Sequence, residues 1–263
     1  MSTDDVTARA QLAERLARLA GDMALAGRRS GKVQASTKSS ATDLVTEFDK
    51  ASERIIVEGI TTGFPDDAIV GEEGADSPGS SGITWHVDPI DGTSNFFYDL
   101  PVWAVSIGAT DAAGPLLGAV YLPVLGEMYT ASRSRGARLN GDAITVSGLR
   151  DASTSLVATG FSYDPSERTR HARLVAGIIG HVRDIRRHGA AAADLCMVAC
   201  GRVDAYLEEG LHSWDLVAGH VIALEAGALA TDWTGGPVSP RQVLVSTPGI
   251  HRDLITILAG ALP

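Results

Sequence analysis

From Val6 to about Arg28, apolar residues recur at helical spacing, with Leu12, Leu16, Leu19 and Met23 on one face and Glu14, Arg15, Arg18 and Asp22 elsewhere. That period predicts an amphipathic helix, and its charges exclude a membrane span. The polar stretch Ser30 to Ala41 reads as a mobile loop, a candidate lid. A second helix follows Thr42 to Asp49 and takes its buried stripe from Phe48, Ser52, Ile55, Ile56, Gly59 and Ile60. After the turn Phe64-Pro65-Asp66-Asp67, apolar or alternating runs predict strands at Ala68 to Val70, Thr84 to Val87, Val102 to Thr110, Leu116 to Tyr121 and Glu127 to Ala131. Gly74 to Gly82 reads as a flexible connection. Leu139-Asn140-Gly141-Asp142 is a hairpin signal, since Asn-Gly readily takes positive φ.

The second half alternates. It reads as a strand at Leu156 to Thr159, a helix from Arg168 to about Ile179, and an alanine-rich helix from Ala190 to Cys200. A strand from Val203 to Leu207 ends at Glu208 and Glu209, Trp214-Asp215 opens a further helix, and strands at Leu229 to Thr231 and Val243 to Ser246 precede a last helix, Ile250 to Ala259. Helices first, then mixed strands, then alternating α and β predict stacked helix and sheet layers with two sheets. The 263 residues fit one domain, with residues 1–150 and 151–263 as its lobes.

A net charge of -10 lacks the basic footprint that nucleic-acid binding requires. A phosphorylated small substrate still fits if bound cations reverse the local charge. Cys196 and Cys200 read as buried thiols in a reducing compartment, since no other Cys or clear His partner suggests zinc. No apolar run reaches about 18 residues and no signal-peptide pattern is present, so a cytoplasmic, membrane-free protein is expected.

The candidate chemistry gathers in Trp85-His86-Val87-Asp88-Pro89-Ile90-Asp91-Gly92-Thr93-Ser94-Asn95. Pro89 cannot donate a ladder hydrogen bond, so the strand is expected to stop at Asp88. Open α/β sheets place ligands at the carboxyl ends of strands. The turn can bring Asp91 beside Asp88 and aim the Ile90 carbonyl the same way; these oxygen donors suit Mg²⁺, Mn²⁺ or Ca²⁺ better than zinc. Gly92 and Thr93 offer amides and a hydroxyl to a phosphate oxygen. An ordinary surface turn would carry the same residues. Asp49 beside its helix stripe, Glu72 after the strand at residues 68–70, and Asp215 at a helix start read singly as solvated or capping acids. If the two strands are neighbours, Glu72 and Asp88 face one site, where close like charges favour a cation between them. Lys38 is a solvated loop charge or a group that reaches an anion. The run Arg183 to His188 is a solvated edge strand, or faces a substrate or a partner.

These blocks together closely resemble the inositol monophosphatase family of Mg²⁺-dependent phosphatases. The matching pieces are Lys38-Ser39-Ser40 with Asp43-Leu44-Val45-Thr46 and Asp49; Gly71-Glu72-Glu73; Asp88-Pro89-Ile90-Asp91-Gly92-Thr93 with Asn95-Phe96; and Trp214-Asp215 with Glu225-Ala226-Gly227 and Thr234-Gly235-Gly236-Pro237. The resemblance implies an α/β fold, the five-layer α/β/α/β/α sandwich of the inositol monophosphatase and fructose-1,6-bisphosphatase type. It also implies a homodimer, lithium sensitivity and two to three Mg²⁺ ions. By the same resemblance, Glu72, Asp88 and the Ile90 carbonyl bind one ion, and Asp88, Asp91 and Asp215 a second. Asp49 and Glu72 hold a third, looser ion or its waters. Glu72 and Thr93 help to position and deprotonate the attacking water, with Asp49 grouped among the catalytic residues.

Two ions roughly 3.5–4 Å apart can activate water and stabilise a leaving alkoxide, so direct attack by metal-activated water without a phosphoenzyme is expected. On the substrate side the resemblance implies Gly92, Thr93, Asp215, Ala191, Lys38 and Glu208, the last accepting from substrate hydroxyls. Ala190 stands where many relatives carry Ser or Thr, and Tyr98 where His is common. Inositol 1-phosphate is the first expected substrate. Histidinol phosphate, fructose 1,6-bisphosphate and 3′-phosphoadenosine 5′-phosphate are alternatives. A regulator binding the transcription machinery, as some bacterial relatives do, ranks below them.

Overall fold

The computed structural model describes residues 3–31, 33–37 and 44–261. Lys38, expected near the substrate, and Asp43 lie outside these residues. In chain order the first half comprises α1 (Thr3–Ser30), β1 (Ala35–Thr37), β2 (Leu44–Thr46), α2 (Glu47–Gly63), β3 (Ala68–Gly71), β4 (Thr84–Asp91) and α3 (Thr93–Phe97). It continues through β5 (Ala104–Asp111), β6 (Gly114–Leu122), β7 (Glu127–Ser132), β8 (Ala137–Leu139) and β9 (Asp142–Ile144). The second half comprises β10 (Leu156–Thr159), α4 (Pro165–Ile178), β11 (Asp184–Arg186), α5 (Ala191–Ala199), β12 (Ala205–Glu209), α6 (Ser213–Glu225), β13 (Leu229–Thr231), β14 (Gln242–Ser246) and α7 (Pro248–Ala261).

Seven strands form one sheet, β3-β4-β5-β6-β7-β8-β9, and five form another, β11-β10-β12-β14-β13. On one face of the larger sheet, Leu12, Leu16, Ile56 and Ile60 of α1 and α2 pack against Trp85, Val87, Val105 and Ile107. Between the sheets, Leu195, Leu216 and Ile222 of α5 and α6 meet Val120 and Tyr129 on one side and Tyr206 and Val243 on the other. Outermost, Leu174, Ile178, Leu254 and Leu258 of α4 and α7 cover Val157, Leu207 and Leu244. The result is the expected α/β/α/β/α stack.

The middle layer explains the composition of its helices. A helix between two sheets has no solvent face, and every residue of α5 is buried. Helix α6 presses onto β5 and β6 where Gly108 and Gly118 leave room. A Cβ on Gly108 would lie 2.7 Å from the Ala218 amide nitrogen, and one on Gly118 2.5 Å from the Ala218 carbonyl oxygen.

Several sequence expectations shift. Leu19 is 55% exposed, because the buried stripe of α1 runs through Leu12, Ala13, Leu16, Ala17, Ala20 and Ala24; small residues let α1 approach α2, and Leu19 falls outside that stripe. Residues Ala35–Thr37 pair antiparallel with Leu44–Thr46 as a ribbon and are not open loop. The expected flexible connection is pinned: Ser77 and Ile69 exchange backbone hydrogen bonds, the Ser80 and Ser81 amides donate to the Asp66 carbonyl, and Ser81 Oγ donates to Asp67. The basic run contributes β11, the edge strand beside β10. The Asn-Gly hairpin stands, with φ of 51° at Asn140 and 90° at Gly141. Among the described residues, no helix is long and apolar enough to cross a membrane.

The seat of α6 gives a test. Gly108→Ala is expected to cost about 1–3 kcal/mol, the range for overpacking a fixed interior, read by urea unfolding. Gly148→Ala, with nothing within 4 Å of its Cβ, serves as the control. Equal stability of the two variants would contradict the close-approach role.

Candidate active site

Parallel pairing of β3 with β4 sets Gly71 opposite Val87. The Glu72 amide continues the ladder by donating to the Val87 carbonyl at 3.1 Å, which places Glu72 at the strand ends beside Asp88. Strand β4 does not stop at Asp88. Its pairing with β5 is regular to Asp88–Ser106, shifts, and resumes at Asp91–Ala104. Pro89, which has no N–H, falls within the shift. The Ile90 amide turns inward to Asp88 Oδ1 at 3.0 Å, and Pro89 O accepts from Ser52 Oγ of α2 at 2.9 Å. The shift thus lets Asp88 and Asp91 share one site.

Asp91 also anchors the second half of the molecule. Its carboxylate accepts from the amides of Ala191 (3.0 Å), Ala192 (2.8 Å) and Ala193 (3.4 Å). These are the first residues of α5, whose amides have no partner within the helix and favour an anion. Gly92 then turns the chain at φ 87°, where a Cβ would lie 3.0 Å from Gly189 O. Asp215, in the first turn of α6, accepts from the His212 amide at 2.6 Å. The nearest carboxylate oxygens of Asp88, Asp91 and Asp215 lie within 4.8 Å of one another.

Asp49 is fully buried and stands behind this cluster. Its Oδ2 accepts from the Thr46 amide (2.8 Å) and hydroxyl (2.5 Å), closing a capping box at the start of α2. Thr93 Oγ1 lies 3.1 Å from both Asp49 Oδ1 and Ile90 O. Thr93 and Ile90 line the cleft, and Asp49 reaches it through Thr93.

Among the described residues, the electrostatics are those of acids that raise one another's pKa. Burial, then Glu72, Asp91 and Asp215, push the Asp88 carboxyl well above its ordinary range. Burial and Asp215 raise Asp91 against the opposing effect of the α5 amides. Burial, opposed by Thr46 and assisted by Glu72 and Glu73, raises Asp49 to about 6. This donor set fits a hard divalent cation: oxygens only, with Asp88 and Asp91 buried, Glu72 and Asp215 half-buried, and close like charges that a cation would offset. Glu72, Asp88, Asp91, Asp215 and the Ile90 carbonyl are the groups available to hold one.

The acids open into a cleft of about 460 Å³. Glu208 stands in its wall, half-buried, accepting from Tyr206 Oη at 2.5 Å. Burial raises its pKa to about 8 against the lowering effect of Tyr206. Gly160 makes the room for it, since a Cβ there would lie 1.9 Å from Glu208 Oε2. Ala190 and Ala191 line the cleft, though the Ala191 amide is taken by Asp91. Tyr98, 69% exposed, is not part of its wall.

Arg187, expected within a basic run that is a solvated edge strand or faces a substrate or a partner, lines the cleft beside Glu208. Three contributors escaped the sequence reading. Phe161 and Tyr163, in the segment after β10, line it too, as does Asp194, whose Oδ1 lies 2.5 Å from His188 Nδ1. Their shared signal is position just beyond β10, which runs parallel to both β11 and β12, or on the helix α5 that follows β11.

A family model described as the inositol monophosphatase family matches residues 5–261. The inositol-1-monophosphatase SuhB of Mycobacterium tuberculosis is 42% identical over 245 residues, covering 89% of this chain and 83% of the relative. The Nus factor SuhB of Pseudomonas aeruginosa is 41% identical over 261 residues, covering 96% of each. The solved inositol monophosphatase of Anabaena superposes with a TM-score of 0.89 at 32% identity, covering 98% of each chain.

The raised carboxyls fix a sign. A group whose folded pKa exceeds its unfolded value stabilises fully below the unfolded value and loses that contribution as pH rises through the folded one. For Asp49 the window runs from 3.8 to about 6, and Asp88 and Asp91, also raised, carry the same sign. In EDTA, Asp88→Asn is therefore expected to melt higher than wild type at pH 8, by a few degrees for about 1 kcal/mol, with the gap closing toward pH 4. A lower melting point for Asp88→Asn at pH 8 would contradict this electrostatic picture.

Proposed function

The chain belongs to the inositol monophosphatase family and is a phosphoric monoester hydrolase, and from that premise we propose that it is a Mg²⁺-dependent phosphatase acting first on inositol 1-phosphate. The observation that carries the metal dependence is the convergence of Asp88, Asp91 and Asp215 within 4.8 Å beside Glu72. In this reading Asp88, Asp91 and Asp215 hold one ion, Glu72, Asp88 and the Ile90 carbonyl another, and Asp49 with Glu72 borders a third. Bound Mg²⁺ supplies Lewis-acid stabilisation of charge on the phosphoryl and leaving oxygens and makes water more acidic.

The chain's own groups do the positioning. Thr93 Oγ1 donates toward Asp49 or Ile90, and its free lone pair accepts a hydrogen bond from the attacking water. Asp49, with its pKa near 6, can take a proton passed through that hydroxyl. Glu72 orients the same water. The Gly92 and Thr93 amides border the cleft where the phosphate would sit. Water attacks phosphorus in line, and no side chain needs to become phosphorylated.

At the far wall, Glu208 receives the alcohol. With its pKa near 8 it is largely protonated at neutral pH, and a neutral carboxyl both donates and accepts. That suits the hydroxyls of inositol better than the ammonium of histidinol phosphate. Fructose 1,6-bisphosphate and 3′-phosphoadenosine 5′-phosphate remain the other candidates. The reading takes the enzyme as a cytoplasmic, lithium-sensitive homodimer. The name Nus factor for a relative 41% identical supports a second reading, a role in the transcription machinery separable from hydrolysis. Capture of RNA polymerase by Asp88→Asn as well as by wild type would support it.

Phosphate release at fixed Mg²⁺ across the four esters tests the first reading. Inositol 1-phosphate is expected to lead, with Asp88→Asn inactive. Thr93→Ala is expected to lower kcat by about 10²–10⁴, the usual worth of a proton-transfer group. Glu208→Ala is expected to raise KM about tenfold, as loss of a hydrogen bond to substrate does. Preference for another ester would replace the substrate and keep the chemistry, whereas release unaffected by Asp88→Asn would overturn the chemistry.

A further inference from the structure

His86 stands two residues before Asp88, on the same face of β4, because alternate residues of a strand share a face. Both ring nitrogens are engaged: Nδ1 lies 2.9 Å from Ser213 Oγ and Nε2 3.2 Å from Thr110 Oγ1. Its neighbour on β5 is Gly108, which has no side chain to compete for that space, and its neighbour on β3 is Val70. Ser213 opens α6, two residues before Asp215. One imidazole therefore spans from the strand that carries Asp88 to the helix that carries Asp215. A second tie from the sheet to this helix end, Ser106 Oγ to Trp214 O, is 3.2 Å long. A neutral imidazole has one donor and one acceptor, and hydroxyls take either role, so a single tautomer makes both bonds.

We propose that His86 is a positioning residue: through Ser213 it fixes the separation of Asp88 from Asp215, and with it the affinity for the ion those two acids share with Asp91. The proposal rests on the metal-dependent reading above and touches neither substrate nor reacting atoms. A residue that merely filled space at this position would affect folding without affecting ion affinity.

The test is direct Mn²⁺ binding to the full chain, followed by electron paramagnetic resonance, alongside circular dichroism and substrate KM. His86→Ala is expected to weaken Mn²⁺ binding about tenfold, the lower end of the scale for groups that orient metal ligands, with KM unchanged. Ser213→Ala is expected to give the same loss, and the double variant no more than either single, as two ends of one contact behave. His86→Asn, whose amide can occupy the position of Nδ1, restores most of the affinity. His86→Gln, which reaches toward Thr110, does not. Unchanged Mn²⁺ affinity in His86→Ala, or additive losses in the double variant, would overturn the proposal. Should His86→Ala fail to fold, equal affinities of the Asn and Gln variants would overturn it instead. A wild-type chain that binds no Mn²⁺ would overturn the metal reading and this proposal together.

Discussion

Asp91 serves two structural demands with one carboxylate. It accepts from the first amides of α5, which belongs to the second half of the chain, and it lies within 4.8 Å of Asp88 and Asp215. The helix N-terminus favours a charged Asp91, while burial and Asp215 oppose it. The fold thus relies on a carboxylate that it also makes costly to ionise. A divalent cation held there would remove the conflict, because it would turn mutual repulsion among three acids into shared attraction.

The middle layer follows from that arrangement. For Asp91 to reach the amides, α5 must start against the carboxyl end of β4, and for Asp215 to reach Asp88, α6 must lie close on the sheet. Both helices are then enclosed between two sheets. Alanines in α5 and glycines at 108 and 118 permit the approach. Asn95 adds a tie across the same seam, its Nδ2 donating to the carbonyls of Val102 (2.5 Å) and His188 (2.6 Å). The register shift at Pro89 completes the geometry: without it, Asp88 and Asp91, an odd number of residues apart, would point to opposite faces of a regular strand.

The layered fold and the acids were legible in the sequence because each rests on a local signal. Helical spacing marked α2, the Asn-Gly pair marked the β8–β9 turn, and acids after apolar runs marked Glu72 and Asp88. What stayed hidden depends on partners distant in sequence. Leu19 looked like a core residue because its spacing fits a helix stripe, but the stripe that packs runs through Leu12, Leu16 and the alanines at 13, 17, 20 and 24. Pro89 looked like a strand end, and only pairing with β5 on its far side shows the strand resuming. Residues 74–82 look flexible by composition, yet Asp66, Asp67 and Ile69 pin them. Asp194 comes beside Glu208 only when β10, β11 and α5 assemble, and the same assembly singles out Arg187 from a basic run that could face a substrate. Asp49 was legible as one of the acids, but its bond to Thr93 required the whole α2–β4 contact.

The most direct measurement is the anomalous difference density of crystals soaked in Mn²⁺, beside crystals of Asp88→Asn treated alike. The account predicts density within bonding distance of carboxylate oxygens of Asp88, Asp91 and Asp215 in the wild type, with Glu72 and the Ile90 carbonyl at its border, and its loss in the variant. Mn²⁺ confined to acids elsewhere on the surface, or bound equally in both proteins, would contradict the claim that these converging acids are held together for a cation.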